Sequence, residues 1–354
     1  MEKVKTRSYP LDFLKIIATI FIVFHHFQQN TKVYYEGWIN YWGGWFEFGY
    51  MVEFFFVLSG YFMYRYVSKI QNGELTLAKW VTIRAKRLLP MVAITAVAYE
   101  ISIFVYRRIT GMTWAIFGEL SIWGTVITAL GIQESWGFPN PGVNNPVWYI
   151  SVLLACYVIF YILCALSKKL QCSPLYFFVA MVLFGVGIHT FGINKPFQTW
   201  QMARGYFSFF FGVLLAAFVA RNVISKKLTA ASIAVLVGAG ILFYHKEYAL
   251  REPYVYILTF LVFPALILLC ETVTAKKIFR HKVWGTVGSI TFHVYLWHSP
   301  MFPLMYCLLP LMGITLNFSA RWTMYLFLLV AFVIGTLSFF FIEKPINRLL
   351  DKKK

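Results

Sequence analysis

The chain has 354 residues, of which 60% are apolar and only 13% charged, with a mean hydropathy of +0.67. A soluble domain carries about 25% charged residues, so a soluble fold is excluded and lipid must supply the missing apolar surroundings. The formal charge of +18 would indicate nucleic acid in a soluble protein, but here the basic residues fall between apolar runs, as topology signals do.

Taken in chain order, spanning helices are predicted at 11–29, 45–66, 86–106, 146–166, 173–191, 205–220, 229–245, 254–271, 284–308 and 322–343. Ten crossings return the C-terminus to the starting side. The loops on that side, from Lys3 and Lys5 onward, hold 22 Lys and Arg, and those on the opposite side hold eight. The positive-inside rule then makes the richer side, with both termini, cytoplasmic. The expected fold class is an all-α polytopic transmembrane bundle of about ten spanning helices, forming one membrane domain over residues 1–354. No small-residue cleavage site follows the first apolar stretch, which is expected to stay as the first span.

The longest segment between spans, about 107–145, contains a semi-apolar stretch from Trp114 to Ile132, followed by Pro139, Pro141, Gly142 and Pro146. It reads as a re-entrant or interfacial helix over a cavity, or as a plain surface helix. The five cysteines, at 156, 164, 172, 270 and 307, form no CxxC pair, so neither a disulfide framework nor a zinc site is expected.

Ionisable residues at membrane depth are costly unless paired or wetted, and so mark candidate sites. The first span carries Asp12 and Lys15 near one end and His25 and His26 near the other. Lys15 and His26 are eleven residues apart, which returns within about 20° to one helix face with a rise of about 16 Å. His26 reads as a general base toward a hydroxyl or as a histidine bonded to a neighbouring helix. His25, about 100° away, reads as structural. Glu53 in the second span would orient His26 as carboxylates orient imidazoles elsewhere, or pair with an outer-loop Arg. Ser59 and Gly60 are small enough for close helix packing.

Arg84 and Arg87, three residues apart at the entrance of the third span, share a face and suit phosphate groups, although such clusters also serve as anchors. With Lys15 they define one cationic inner site. His293 and His298 lie in the ninth span, and His298 is the second candidate for the outer site. Trp148 and Tyr149, opening the fourth span, suit stacking on a sugar ring or an interfacial aromatic belt. Glu343 and Lys344 at the end of the tenth read as a local ion pair.

In their order along the chain these segments resemble the acyltransferase type-3 family of bacterial membrane O-acyltransferases. The resemblance rests on LDFLKIIATIFIVFHHF, VEFFFVLSGYFM, RAKRLLP, ITFHVYLWHSP and FIEKP, running from the first span to the last. It implies a multi-pass protein of the bacterial cytoplasmic membrane. The donor would be cytoplasmic acyl-CoA, most often acetyl-CoA, and the acceptor a hydroxyl of an envelope glycan or glycolipid, with no metal. By position, Lys15 and His26 match the family's basic residue and catalytic histidine of the first span. Arg84 and Arg87 match its CoA-engaging RxxR pair, Glu53 its acidic position in the second span, and His298 its YLwH histidine. Four departures are visible. Lys15 replaces the commoner Arg and loses bidentate geometry. Thr291 and Phe292 stand where Ser-Tyr is usual. The fourth span, VWYISVLLACY, lacks the Glu of the family pattern. No hydrolase-like domain follows the last span, which would leave acceptor handling to the membrane domain or a separate protein.

Two other classes compete. A transporter or flippase would use buried His, Glu and Lys to couple protons or solute, although no internal repeat is visible. A receptor-like module would keep the site without activity.

Overall fold

The computed structural model describes every residue except 1–6, 38, 45, 115–119, 135–142, 246–250 and 352–354. Lys3, Lys5, Pro139, Pro141, Gly142 and part of the Trp114 to Ile132 stretch therefore lie outside the described residues. Helix α1, Tyr9–Thr31, starts with Pro10 in its first turn and Asp12 beside its positive dipole end, and stops where Lys32 turns left-handed at φ 58°. Helix α2, Met51–Met63, breaks into a 3-10 turn at Tyr64–Tyr66 and resumes as α3, Val67–Gln71. Helix α4, Leu77–Thr110, is capped by Thr76, whose hydroxyl accepts from the Lys79 amide at 3.3 Å.

A short helix, α5, Ile122–Ala129, precedes α6, Trp148–Lys169, α7, Pro174–Phe191, α8, Trp200–Arg221, and α9, Lys226–His245. Helix α10, Arg251–Ile257, passes through a π-helical turn at Leu258–Val262 into α11, Phe263–Glu271, followed by the short α12, Val273–Ile278. Helix α13, Val283–Leu311, contains Pro300, Pro303 and Pro310. Helix α14, Arg321–Ser338, continues through a second π-helical turn at Phe339–Glu343 into α15, Lys344–Asp351.

Among the described residues, each of the ten expected spans falls largely in helix, and the protein is a multi-pass helical membrane protein. Eight helices among the described residues are long and apolar enough to cross a membrane. The α2 to α3 segment and α13 are outside that set. The first is short and broken at Tyr64, and the second carries two histidines and three prolines.

The helix most enclosed by protein is α8, whereas α7 and α9 turn apolar residues such as Leu183, Ile233 and Val237 outward, as lipid-facing helices do. Helices α2 and α8 approach closely. A Cβ at Gly60 would lie 1.8 Å from the Phe209 carbonyl oxygen, and one at Gly212 1.9 Å from that of Val57. Only glycine permits this contact, the small-residue packing expected of Gly60. The contact fixes Glu53, two turns before Gly60 on α2, against the start of α8.

Candidate active site

A cavity of about 1260 Å³ opens at the end of the bundle where Arg7 and Asn347 both line it. Lys15, Arg84 and Arg87, taken from α1 and α4, border the same space. At its edge Asp12, only 2% exposed, joins two cations: Lys15 Nζ donates to Oδ1 at 2.9 Å, and Arg7 Nε donates to Oδ2. Arg7 also donates from Nη2 to the Gly285 carbonyl at 2.5 Å and to Ser289 Oγ at 2.8 Å, so this chain of charges ties α1 to α13. The close approach depends on Gly288, where an added Cβ would meet the Asp12 Cβ at 2.8 Å.

Arg84 is almost fully buried in an aromatic cage. Its guanidinium carbon lies 4.3 Å from the Trp80 ring centre, 4.9 Å from Tyr66 and 5.1 Å from Tyr157. Cation–π attraction offsets part of the cost of burying the charge, and Nε has no hydrogen-bond partner. Nε is thus left for a ligand, with Arg87 one turn further along the helix.

Deeper in the bundle the cavity is bordered by Tyr149, Ser59 and Tyr295. The Tyr149 and Ser59 hydroxyls lie 3.3 Å apart. The Tyr295 ring stands 5.9 Å from Tyr149 on one side and 6.0 Å from the His298 ring on the other. Its hydroxyl donates to the Pro146 carbonyl just before α6. Pro300 lacks the N–H that the Leu296 carbonyl would accept in a regular helix. That carbonyl instead accepts from Asn144 Nδ2 at 3.4 Å, and Asn144 itself is left-handed at φ 46°. The proline thus makes the docking point for the start of α6.

Beyond Tyr295, the His26 and His298 rings stack with centroids 5.1 Å apart. The Gln29 side-chain oxygen lies 3.0 Å from His26 Nδ1, and the Val294 carbonyl 3.3 Å from His298 Nδ1. Oxygens of these two kinds accept, so these contacts fit the tautomer with its proton on Nδ1, in which Nε2 is the accepting nitrogen. His298 is fully buried and its Nε2 has no partner. His25 turns away to the loop after α1, where its Nδ1 lies 2.9 Å from both the Tyr41 carbonyl and Glu47 Oε1. That is a structural contact.

The sequence profile described as an acyltransferase domain matches residues 9–341. The chain belongs to the acyltransferase-3 family. It is also 25% identical over 371 aligned positions to the peptidoglycan O-acetyltransferase OatA of Listeria monocytogenes serovar 1/2a, covering 96% of this chain and 55% of that protein. The chain thus spans about half the length of the curated relative it matches. No solved structure matches.

Within this acyltransferase-family bundle, the surroundings of three sets of expected residues differ from the leading expectation. Glu53 does not orient His26: it is fully buried, and both its oxygens accept from Arg204, Oε2 at 2.9 Å from Nη2 and Oε1 from Nε. A carboxylate without water needs a full countercharge, and imidazole bonded to Gln29 does not supply one. The alternative pairing, with an arginine from the opposite loops, is the one made. Trp148 and Tyr149 meet different surroundings. Trp148 lies 4.9 Å from the Arg204 guanidinium, completing a cage with Trp200 and Tyr50, while Tyr149 is buried on the cavity. Glu343 pairs with His293 rather than Lys344, because the π-helical turn aims Oε2 at Nε2 across 2.8 Å while Ser338 Oγ meets Nδ1 at 2.9 Å.

Sequence reading missed Arg204, Asn144, Gln29 and Tyr295. Gln29, three residues after His26, was the one with a local signal, since that spacing places both on one helix face.

Proposed function

We propose that this protein is a membrane O-acyltransferase that moves an acyl group, with acetyl as the favoured case, from cytoplasmic acyl-CoA to a hydroxyl of an extracytoplasmic envelope saccharide. The observation that carries the reading is the alignment of two sites along α1. The cation-lined cavity ends at Tyr295, and the bare imidazole nitrogens lie one ring beyond it. An acyl-CoA has this division, with phosphates at one end, a thioester at the other and a long flexible arm between them.

With about ten crossings and both termini in the cytoplasm, the cavity faces the cytoplasm and His26 the outer half of the bacterial plasma membrane. Arg84, Arg87 and Lys15 hold the donor phosphates. Charge-assisted hydrogen bonds from the caged guanidinium suit that task. At the other end, His26 Nε2 takes the proton from the acceptor hydroxyl as its oxygen attacks the thioester carbonyl carbon. The carbon–sulfur bond then breaks and CoA leaves as the thiolate. His298, stacked on His26, fixes the ring and offers a second acceptor nitrogen to the incoming hydroxyl. The saccharide acceptor is supported by the glycan named for the Listeria relative, and one membrane domain over residues 1–354 would carry the reaction.

The test is reconstitution in liposomes with labelled acetyl-CoA on one side and an envelope glycan on the other. Label in the glycan, with CoA released only when the glycan is present, is the expected result. Gradient-driven solute uptake without acyl-CoA, and no label transfer, would overturn the proposal in favour of a transporter.

A further inference from the structure

Thr19 borders the cavity in the middle of α1, is fully buried, and its hydroxyl has no hydrogen-bond partner. Helical threonines ordinarily donate to the carbonyl one turn back. Thr95 does so to Met91 at 2.9 Å, Thr110 to Tyr106 at 2.8 Å and Thr336 to Phe332 at 2.7 Å. Thr19 does not. Thr259, the other buried threonine without a partner among the described residues, sits in the π-helical turn and does not border the cavity. A buried polar atom left unsatisfied beside an open space marks a place where a ligand atom belongs.

Position narrows the ligand. Thr19 follows Lys15 by four residues and precedes His26 by seven, all near one face of α1, with rises of about 6 Å and about 10 Å. It therefore lies between the cations and the imidazoles. Val52, Phe55 and Leu58 border the same cavity, as do the hydroxyls of Ser59 and Tyr149. Two more buried side-chain atoms without partners, Ser8 Oγ and Arg84 Nε, belong to residues on the same lining. Orphan donors spaced from the termini end to the middle of the bundle fit an elongated ligand with isolated acceptors along mostly apolar links. The pantetheine arm of an acyl-CoA, two secondary amides joined by short carbon chains, has that chemistry.

We propose that Thr19 binds the donor arm, its hydroxyl hydrogen-bonding one of the arm's amides and so holding the thioester beneath His26. The inference rests on the acyl-CoA reading above. Threonine in a helix divides between two χ1 wells, so one torsion brings the hydroxyl to the ligand without moving the backbone.

The experiment compares wild type, Thr19→Val, which keeps the branched shape without the hydroxyl, and Thr19→Ser, which keeps the hydroxyl. Each is assayed for transfer from acetyl-CoA and from acetyl-pantetheine, and for thermal stabilisation by 3′,5′-ADP, which has phosphates but no arm. Thr19→Val is expected to raise KM about 3- to 10-fold for both acyl donors, with Thr19→Ser near wild type and 3′,5′-ADP binding unchanged in all three. Unchanged KM in Thr19→Val, or equal weakening of 3′,5′-ADP, would overturn the assignment of Thr19 while leaving the acyl-CoA reading standing. Wild type that neither transfers from acetyl-CoA nor is stabilised by CoA would overturn both.

Discussion

The two halves of α1 treat polar groups in opposite ways. In the half that begins at Tyr9, Arg7, Asp12 and Lys15 form a chain of full charges beside a cavity large enough to hold water or phosphate. In the half that ends at Thr31, His26 is held by an amide oxygen and a stacked imidazole, and its carboxylate candidate is consumed by Arg204. Charge is kept where solvent or an anionic ligand can match it. At the other end the fully buried His298 Nε2 is left without a partner, as the proposed proton transfer requires. In the proposed function the same division separates a binding end from a reacting end, and the following variants test that separation.

The largest effect is expected at His26. Removing a general base costs roughly 10²- to 10⁴-fold in rate, so His26→Ala should abolish glycan acetylation to that extent while CoA still raises the melting temperature. Label transfer in membranes and thermal denaturation with CoA measure the two halves separately. Undiminished transfer would remove His26 from the reaction.

Next comes the buried pair of Glu53 and Arg204. Removing one member strands the other charge, at a cost of about 3–5 kcal/mol, so Glu53→Ala should lower thermal stability strongly with or without donor. Replacing both, as Glu53→Leu with Arg204→Met, should recover most of it. The double variant also sharpens the comparison between halves: if it is stable and transfers acetyl, Glu53 holds α2 on α8. If it is stable and inactive, Glu53 acts on the reacting end after all.

At the binding end, Arg84→Ala should weaken donor affinity by about 10- to 100-fold and leave the KM for the glycan unchanged. Arg84→Lys should not restore it, because an ammonium neither stacks in the cage of Trp80, Tyr66 and Tyr157 nor presents a planar donor face. An equal rise in both KM values would show that the two ends are not separate.

What the sequence made legible follows from what helical periodicity encodes. The ten apolar segments, and the shared face of Lys15 and His26, are local properties, and spacing alone discloses them. Partnerships across helices are not local. Glu53 and Arg204 are 151 positions apart, and Arg204 sits one residue before the predicted sixth span, where it counted as a loop charge. The fate of Tyr149 turns on how α6 docks on α13, which depends on the carbonyl freed by Pro300 and on Asn144 in a left-handed conformation. Glu343 reaches His293 through a π-helical turn that no residue pattern in FFFIE announces. Families of motifs, more than single residues, carried the site.

The smallest expected effect separates both ends from the segment that joins α5 to α6. Glu134 lies there, its amide donating to Ser151 Oγ at 3.1 Å, and burial pushes its carboxyl up from 4.5 to about 7. A carboxyl with a raised folded-state pKa keeps its proton in the native protein while the unfolded chain releases it. Native stability is therefore greatest below the ordinary value, falls as pH rises from 4.5 to about 7, and levels off above. Glu134→Gln should flatten that part of the profile, read as a smaller difference in melting temperature between pH 5 and pH 8. Burial alone raises the Glu134 carboxyl, with no part from His26 or His298, so the variant should leave the pH dependence of acetyl transfer unchanged. A shift of the transfer profile would place this carboxyl in the reacting end, and a stability profile as steep as that of wild type would assign the slope to another group.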